Sequence, residues 1–138
     1  VRAKSHANAR GLMQVLPRTA KKVAKRLRIP YSRDRLIKDP DYNMIIGQAY
    51  MAGLLDEFNG SYVLSLAAYN AGPSRARRWT RKNGHPASDD VDAIDWVEMI
   101  PFSETRNYVQ RVLENLQVYR HRLSGPEVAE TLDKDLIR

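Results

Sequence analysis

The sequence contains no cysteine. This absence excludes disulfide bonds, thiolate catalysis and zinc sites with cysteine ligands, although it fits the cytoplasm as well as an oxidising cell envelope. No apolar run approaches the roughly 20 residues of a membrane-spanning helix, and no basic segment followed by an apolar one marks a signal peptide. Since the first residue is Val1 rather than Met, we expect a mature or excised piece of a longer precursor.

Acidic residues are fewer than basic ones. The chain has 16 aspartates and glutamates against 23 lysines and arginines, a formal net charge of +7. This charge predicts attraction to a polyanion, for which nucleic acid, anionic lipid and an acidic cell-wall polymer all qualify. A hydrophobic fraction of 43% in 138 residues predicts one globular domain with its own core rather than a disordered chain.

Strand patterns of period two and internal repeats are lacking, and the apolar residues instead follow helical spacing. The sequence therefore predicts an all-α fold. Prolines, Asn-Gly pairs and capping residues place the starts of the predicted helices at Pro17, Asp39-Pro40, Tyr62, Pro73, Asp92 and Ser103. The segment 31–38 is predicted to be a polar loop.

The longest predicted helix follows Ser103 and ends at Gly125-Pro126. Its predicted buried stripe consists of Tyr108, Val112, Leu116, Tyr119 and Leu123. We expect one domain over residues 1–124 and a C-terminal extension over 125–138. The extension is predicted to be one more amphipathic helix or an arm that docks elsewhere.

Metal and nucleic-acid signals are weak. The three histidines lack the spacing of metal ligands, and we interpret them as surface or loop residues. The acidic run Asp89, Asp90, Asp92 and Asp95 lacks the glycine and the distal glutamate of a calcium loop, so we interpret it as helix capping. No basic motif with interleaved aromatic residues indicates nucleic acid. We therefore expect no metal, no cofactor and no nucleic-acid partner.

Two stretches bring together side chains that suit a polar ligand. Tyr69 and Asn70 precede Ala71-Gly72-Pro73, where a helix is predicted to end. Asn70 either caps its own helix or presents a carboxamide, beside the Tyr69 phenol, to a polyhydroxylated or acetamido ligand. Glu104 and Tyr108 lie one turn apart at the start of the last long helix, so they can share a partner. The helix dipole alone is sufficient reason for an acid at Glu104.

The motifs together carry a resemblance. Gly11-Leu12-Met13-Gln14, Ala68-Tyr69-Asn70-Ala71-Gly72-Pro73 and Pro101-Phe102-Ser103-Glu104-Thr105-Arg106-x-Tyr108 occur in this order, with Asp39-Pro40-x-x-Asn43-x-x-Ile46-Gly47-x-x-Tyr50 between the first two. The set resembles the lysozyme-like catalytic domain of soluble lytic transglycosylases over about residues 3–122. The Pro-Phe-Ser-Glu-Thr-Arg variant is similar to the large periplasmic subfamily, whose catalytic domain follows an α-helical superhelical ring, and to its neisserial-type enzymes in particular.

The resemblance implies cleavage of peptidoglycan at the β-1,4 bond between N-acetylmuramic acid and N-acetylglucosamine, with formation of a 1,6-anhydro end. The family's catalytic glutamate stands nine residues before the serine that matches Ser5, so we expect it five residues ahead of Val1. The chain by itself is then expected to be inactive. A non-catalytic peptidoglycan-binding module and a hydrolytic lysozyme-like muramidase remain as alternatives.

The resemblance also implies site residues. Ser5 contacts the reacting sugar, Gln14 and Asn70 hold acetamido sugars, and Met13 and Tyr69 line the cleft. Other implied residues lie near the acid: Tyr108 orients it, while Glu104 positions a group or contacts the substrate peptide and is not itself the catalyst. The arginines that follow Pro73 either meet muropeptide carboxylates or form a solvated helix face; they are Arg75, Arg77, Arg78 and Arg81.

The implied partners are peptidoglycan glycan strands and muropeptides, an upstream α-helical ring of the same protein, and proteins of cell-wall synthesis. The implied location is the periplasm of a Gram-negative bacterium. An outer-membrane lipid anchor through an upstream lipobox is left open.

Overall fold

The computed structural model describes residues 13–124 and Leu136. Residues 13–124 form seven helices and no β-strand, which confirms the all-α class. The helices are α1 (Pro17–Leu27), α2 (Arg33–Lys38), α3 (Pro40–Glu57), α4 (Tyr62–Ala71), α5 (Pro73–Asn83), α6 (Ala93–Glu98) and α7 (Ser103–Ser124). The chain divides into two compact units, residues 1–53 and 54–138.

Proline begins three of the described helices, as predicted. Pro17, Pro40 and Pro73 are the first residues of α1, α3 and α5, where the fixed φ of proline suits a helix and its missing N–H costs nothing. Before α3, the Asp39 carboxylate accepts a hydrogen bond of 3.1 Å from the backbone N–H of Tyr42. This bond, together with hydrogen bonds from the Arg35 guanidinium, lowers the pKa of Asp39 below its ordinary value. Asp39 is therefore the cap that the sequence predicted.

The predicted loop over 31–38 is wrong, because it contains α2. The helix begins after Ser32, whose Oγ accepts a hydrogen bond of 3.1 Å from the backbone N–H of Arg35. Leu36 is fully buried and is the only buried residue of this helix. One buried side chain in six residues leaves no apolar periodicity to detect.

In the first unit, Tyr42 fastens the segment before α2 to the start of α3. Its hydroxyl donates a hydrogen bond of 3.0 Å to the Pro30 carbonyl and accepts one of 3.1 Å from the backbone N–H of Ser32. The ring is buried, so both hydrogen bonds satisfy a phenol that would otherwise be costly to bury.

In the second unit, α4 is the most deeply buried helix. Its residues 63–68 are all buried, and its N-terminus is capped by the Ser61 hydroxyl, which accepts a hydrogen bond from the backbone N–H of Leu64. The short helix α6 begins at Asp92, whose carboxylate accepts hydrogen bonds from the backbone N–H groups of Ile94 and Asp95. The interpretation of this aspartate as a helix cap is confirmed.

The predicted buried stripe of α7 is wrong in its C-terminal half. Tyr119 and Leu123 are 62% and 69% exposed, and Tyr108, Val112 and Leu116 are half-buried. The face that is buried instead contains Thr105, Val109 and Leu113. Because this face begins with a polar residue, Thr105, apolar spacing does not identify it.

The predicted extension over 125–138 lies outside the described residues except for Leu136, which is buried. The boundary between residues 124 and 125 therefore stays a prediction. None of the helices described here is both long enough and apolar enough to cross a membrane.

Replacing either of two serines in the second unit by alanine is expected to change the free energy of unfolding, in opposite directions. Ser65 is fully buried, and its hydroxyl has no hydrogen-bond partner in the described part of the chain. Ser65→Ala is therefore expected to raise the free energy of unfolding by about 1 kcal/mol, since it removes an unsatisfied polar group. Ser61→Ala removes the cap of the same helix and is expected to lower that free energy by about 1 kcal/mol. Urea denaturation of both variants measures the difference, and a loss of stability in Ser65→Ala would refute the unsatisfied hydroxyl.

Candidate functional site

The predicted site residues fall into two sets. Met13 and Gln14 belong to the first unit, whereas the second unit contains four of them, Tyr69, Asn70, Glu104 and Tyr108. Ser5 lies outside the described residues.

Asn70 is held by a side chain of α7. The Thr105 hydroxyl donates a hydrogen bond of 2.7 Å to Asn70 Oδ1, and Thr105 is 2% exposed. The cap of α4 is not Asn70 but Gly72, whose backbone N–H bonds to the Ala68 carbonyl. Because Oδ1 is engaged by Thr105, the amide nitrogen with its two N–H donors is the end of Asn70 that can meet a ligand. Such donors suit a carbonyl or hydroxyl oxygen.

Tyr69 lies beside Tyr108. The two rings are stacked, with centroids 6.4 Å apart and planes inclined by 14°, and both side chains are half-buried. Burial raises the pKa of Tyr108 above its ordinary value, against a smaller lowering by the Arg111 charge. The Tyr108 phenol thus stays protonated at neutral pH, where it can both donate and accept a hydrogen bond. Residues predicted from two separate motifs are adjacent here.

Glu104 lies in the first turn of α7 with an exposed side chain. It is four residues before Tyr108, the spacing at which helical side chains lie on one face. An exposed carboxylate is not enclosed by the apolar pocket that holds the general acid of a glycosidase. That Glu104 is not the catalyst and that it has a supporting role both stay predictions.

An aromatic and cationic cluster lies at the start of α5 and just before α7. Of its members, only Arg75 had a predicted role, either as a contact for muropeptide carboxylates or as part of a solvated helix face. The Arg75 guanidinium lies 4.8 Å from the centroid of the Phe102 ring and donates a hydrogen bond of 3.1 Å to the Ala71 carbonyl. Phe102 in turn meets Trp79 edge to face, with centroids 5.5 Å apart. These contacts fix the Ala-Gly-Pro turn against the start of α7.

In the first unit, Asn43 holds the backbone of Met13. Asn43 Oδ1 accepts a hydrogen bond of 2.7 Å from the Met13 N–H, and Asn43 Nδ2 donates one of 3.0 Å to the Leu36 carbonyl. Asn43 is 1% exposed. The next residue, Gln14, has a φ of 51°, a left-handed conformation that is uncommon for residues other than glycine. Asn43 thus fixes a turn that the local sequence alone does not favour.

Gly47 provides the space for Met13. A Cβ built on Gly47 would lie 2.6 Å from Met13 Cβ and 2.7 Å from Met13 Cγ, closer than carbon atoms approach without a shift of the backbone. Because Gly47 lies inside α3, where alanine would favour the helix more, its presence indicates a close approach rather than a helical preference.

Asn43, Gly47 and Thr105 belong to the sequence motifs, but the motifs alone predicted no role for them. A glycine inside a predicted helix was a usable signal for Gly47. Thr105 and Asn43 gave no comparable signal, because a buried polar side chain is explained only by the partner that satisfies it.

Comparisons with known proteins identify relatives of this chain. The family model for the transglycosylase SLT domain matches residues 1–91, and that for the soluble lytic transglycosylase helical domain matches residues 99–127. The soluble lytic murein transglycosylase of Escherichia coli K12 is 43% identical over 121 residues, which cover 87% of this chain and 18% of that protein.

Two solved structures of lytic transglycosylases are similar to this chain in sequence and in fold. An inactive mutant of the lytic transglycosylase Slt from Pseudomonas aeruginosa is 43% identical, with a TM-score of 0.74 over 91% of this chain and 20% of the other. The 70 kDa soluble lytic transglycosylase from Escherichia coli is 39% identical, with a TM-score of 0.79 over 95% of this chain and 21% of the other. The chain thus spans about a fifth of the length of these relatives.

Proposed function

The chain belongs to the transglycosylase SLT domain family, and we propose that the complete protein is a peptidoglycan lytic transglycosylase. The observation that carries the proposal is the Asn70 amide, held by Thr105 next to the stacked pair of Tyr69 and Tyr108. The relatives are named as lytic transglycosylases, and this supports the same activity.

The chemistry of the substrate matches these side chains. The Asn70 N–H groups suit the carbonyl oxygen of an N-acetyl group, and the phenols of Tyr69 and Tyr108 suit sugar hydroxyls. In the first unit, the Gln14 amide offers donors and an acceptor of the same kind, and Met13 and Leu16 supply apolar surface. We assign Gln14, Asn70 and Tyr69 to the binding of the acetamido sugars.

The proposed reaction uses one carboxyl group, a glutamate that the family resemblance places ahead of Val1. It first protonates the leaving oxygen of the β-1,4 bond, and the bond to C1 breaks while the substrate's own N-acetyl group stabilises the cation. The resulting carboxylate then takes the proton of the 6-hydroxyl as that oxygen bonds to C1. No water is consumed, and the product carries a 1,6-anhydromuramoyl end.

Tyr108 is the proposed orienting residue of this acid. Tyr108→Phe in the complete protein is expected to lower kcat about tenfold, since it removes one hydrogen bond of an acid–base pair without altering the packing. The thermal midpoint is expected to stay unchanged at neutral pH. Turnover of soluble glycan strands measures the first effect, and Tyr119→Phe, on an exposed part of the same helix, is the matched control. An unchanged kcat would remove Tyr108 from the site.

The raised pKa of Tyr108 adds a second readout. The neutral phenol is favoured by the folded state, so its contribution to stability is fully present below the ordinary pKa of about 10 and is lost as the pH rises through the folded value. Tyr108→Phe has no such proton to lose. We expect its stability to fall less than that of the unaltered protein on the alkaline side, and equal alkaline slopes would show that Tyr108 is not buried.

We further propose a periplasmic location, peptidoglycan strands as the partner and an upstream helical ring in the same protein. Homologous soluble and membrane-bound lytic murein transglycosylases occur in Gram-negative bacteria, which supports the location. Attachment to the outer membrane and contacts with cell-wall synthesis proteins rest on the family resemblance alone.

Digestion of purified sacculi tests the proposal against a binding module. The complete protein is expected to release soluble muropeptides, and Asn70→Ala is expected to release them about a hundredfold more slowly, the scale of effect that misplaced substrate produces. Asn107→Ala, an exposed asparagine of α7, should act as the unaltered protein does. Binding to sacculi without release of muropeptides would instead support a non-catalytic module.

A further inference from the structure

A pocket lies at the opposite end of the α4–α5 pair from Asn70. It is shallow, has a volume of about 300 Å³, and is lined by Glu57, Phe58, Asn59, Leu64, Arg77, Thr80, Arg81 and His85. Since α4 has 10 residues, its two ends are about 15 Å apart. The pocket therefore does not share the residues of the candidate sugar site, and nothing in the proposed reaction uses it.

The floor of the pocket is apolar and its wall is cationic. Phe58 and Leu64 are buried at the floor. Glu57 forms an ion pair with Arg77, which leaves Arg81 as the lining charge with no acidic partner in the part of the chain that the structure describes. The start of α4 and the end of α5 both line the pocket, so their partial charges oppose each other, and among Glu57, Arg77 and Arg81 the Arg81 charge is left uncompensated.

The remaining polar groups add a donor. His85 Nδ1 accepts a hydrogen bond of 3.1 Å from the backbone N–H of Ala87, so the neutral ring carries its proton on Nε2. The Thr80 hydroxyl already donates to the Ala76 carbonyl over 2.9 Å. A guanidinium and an imidazole N–H over an apolar floor match a small carboxylate that carries a methyl group beside it.

We propose that this pocket binds the terminal carboxylate of a peptidoglycan stem peptide, with alanine methyl groups on Phe58 and Leu64. The inference rests on the proposed function, since that function makes stem peptides the abundant carboxylates around the protein. A distant peptide site would keep the enzyme on a strand between cleavages, because a second contact raises the effective concentration of the first.

The experiment is a ligand-detected NMR titration of the complete protein with N-acetyl-D-alanyl-D-alanine. We expect Arg81→Gln to weaken binding about tenfold, as the loss of a charge-assisted hydrogen bond does, and the C-terminal amide of the dipeptide to bind as weakly. Lys82→Gln removes the same charge from an exposed residue of α5 outside the pocket, and is expected to bind as the unaltered protein does.

Several outcomes would overturn the inference: no binding, equal weakening in Arg81→Gln and Lys82→Gln, or equal binding of the amide or of inorganic phosphate. Asn70→Ala is expected to keep the binding, which separates this pocket from the sugar site, and loss of binding in that variant would overturn the assignment as well. The titration does not depend on turnover. Failure of the proposed function therefore appears as absent muropeptide release, whereas failure of this inference appears in the titration.

Discussion

Gly47→Ala is expected to lower the thermal midpoint by roughly 5–10 °C, through a loss of about 2 kcal/mol from overpacking. The new methyl group would lie 2.6 Å from Met13 Cβ, an atom next to the backbone that cannot swing away. Relief requires a shift of the Met13–Gln14 segment relative to α3. Turnover is therefore expected to fall with stability, and differential scanning calorimetry combined with a glycan digestion assay measures both effects.

Gly53→Ala is the matched control in the same helix. A Cβ on Gly53 would lie 2.7 Å from the Arg26 guanidinium nitrogens, which form the far end of a flexible side chain. Arg26 donates a hydrogen bond to the Ala49 carbonyl at 3.1 Å and can turn aside at small cost, which the higher helix propensity of alanine offsets by about 1 kcal/mol. We expect a thermal midpoint close to that of the unaltered protein. Equal losses in both variants would mean that Gly47 has no special relation to Met13.

Thr105→Val is expected to lower kcat/KM about tenfold, because a small misplacement of a substrate-positioning group has effects of this size. The substitution keeps the shape of a side chain that is 2% exposed but removes the hydroxyl that donates to Asn70 Oδ1. The Asn70 amide is then free to rotate and no longer presents its nitrogen in one direction. Steady-state kinetics on defined glycan strands measures the change.

Thr105→Ser is the conservative variant that separates positioning from packing. It keeps the hydroxyl and loses a buried methyl group, so it is expected to lose about 1 kcal/mol of stability while kcat/KM stays within about threefold of the unaltered value. If Thr105→Ser loses as much activity as Thr105→Val, the hydrogen bond to Asn70 has no role in the site.

Most helices could be predicted because the residue types at their ends, such as proline and capping residues, mark where a helix begins or stops. Pro17, Pro40 and Pro73 begin helices where the sequence placed them, and the left-handed φ values of Asn59 and Gly60 follow the end of α3. These signals depend on one or two neighbouring residues. Helix α2 was missed because its single buried residue creates no pattern, although Ser32, a residue type preferred at helix N-caps, was a usable signal.

The residues of the candidate site could be predicted from motifs, but the residues that hold them in position could not. Asn70 and Tyr69 were assigned from the resemblance, whereas Thr105 was not, since its role depends on a hydrogen bond between residues 35 positions apart. The same polar contact explains why the buried face of α7 was misplaced. The spacing of apolar residues predicts only which face of a helix or strand is buried. It does not predict hydrogen bonds between polar residues that are far apart in the sequence.

The mass of the sugar end produced from purified sacculi tests the proposed reaction most directly. The complete protein should yield fragments that end in 1,6-anhydromuramic acid, because the 6-hydroxyl of the substrate and not water attacks C1. A hydrolytic muramidase would yield ends heavier by one water, about 18 Da, since water is then the nucleophile. Anhydro ends that disappear in Asn70→Ala would support both the reaction and the site, and hydrolysed ends would refute the transglycosylase.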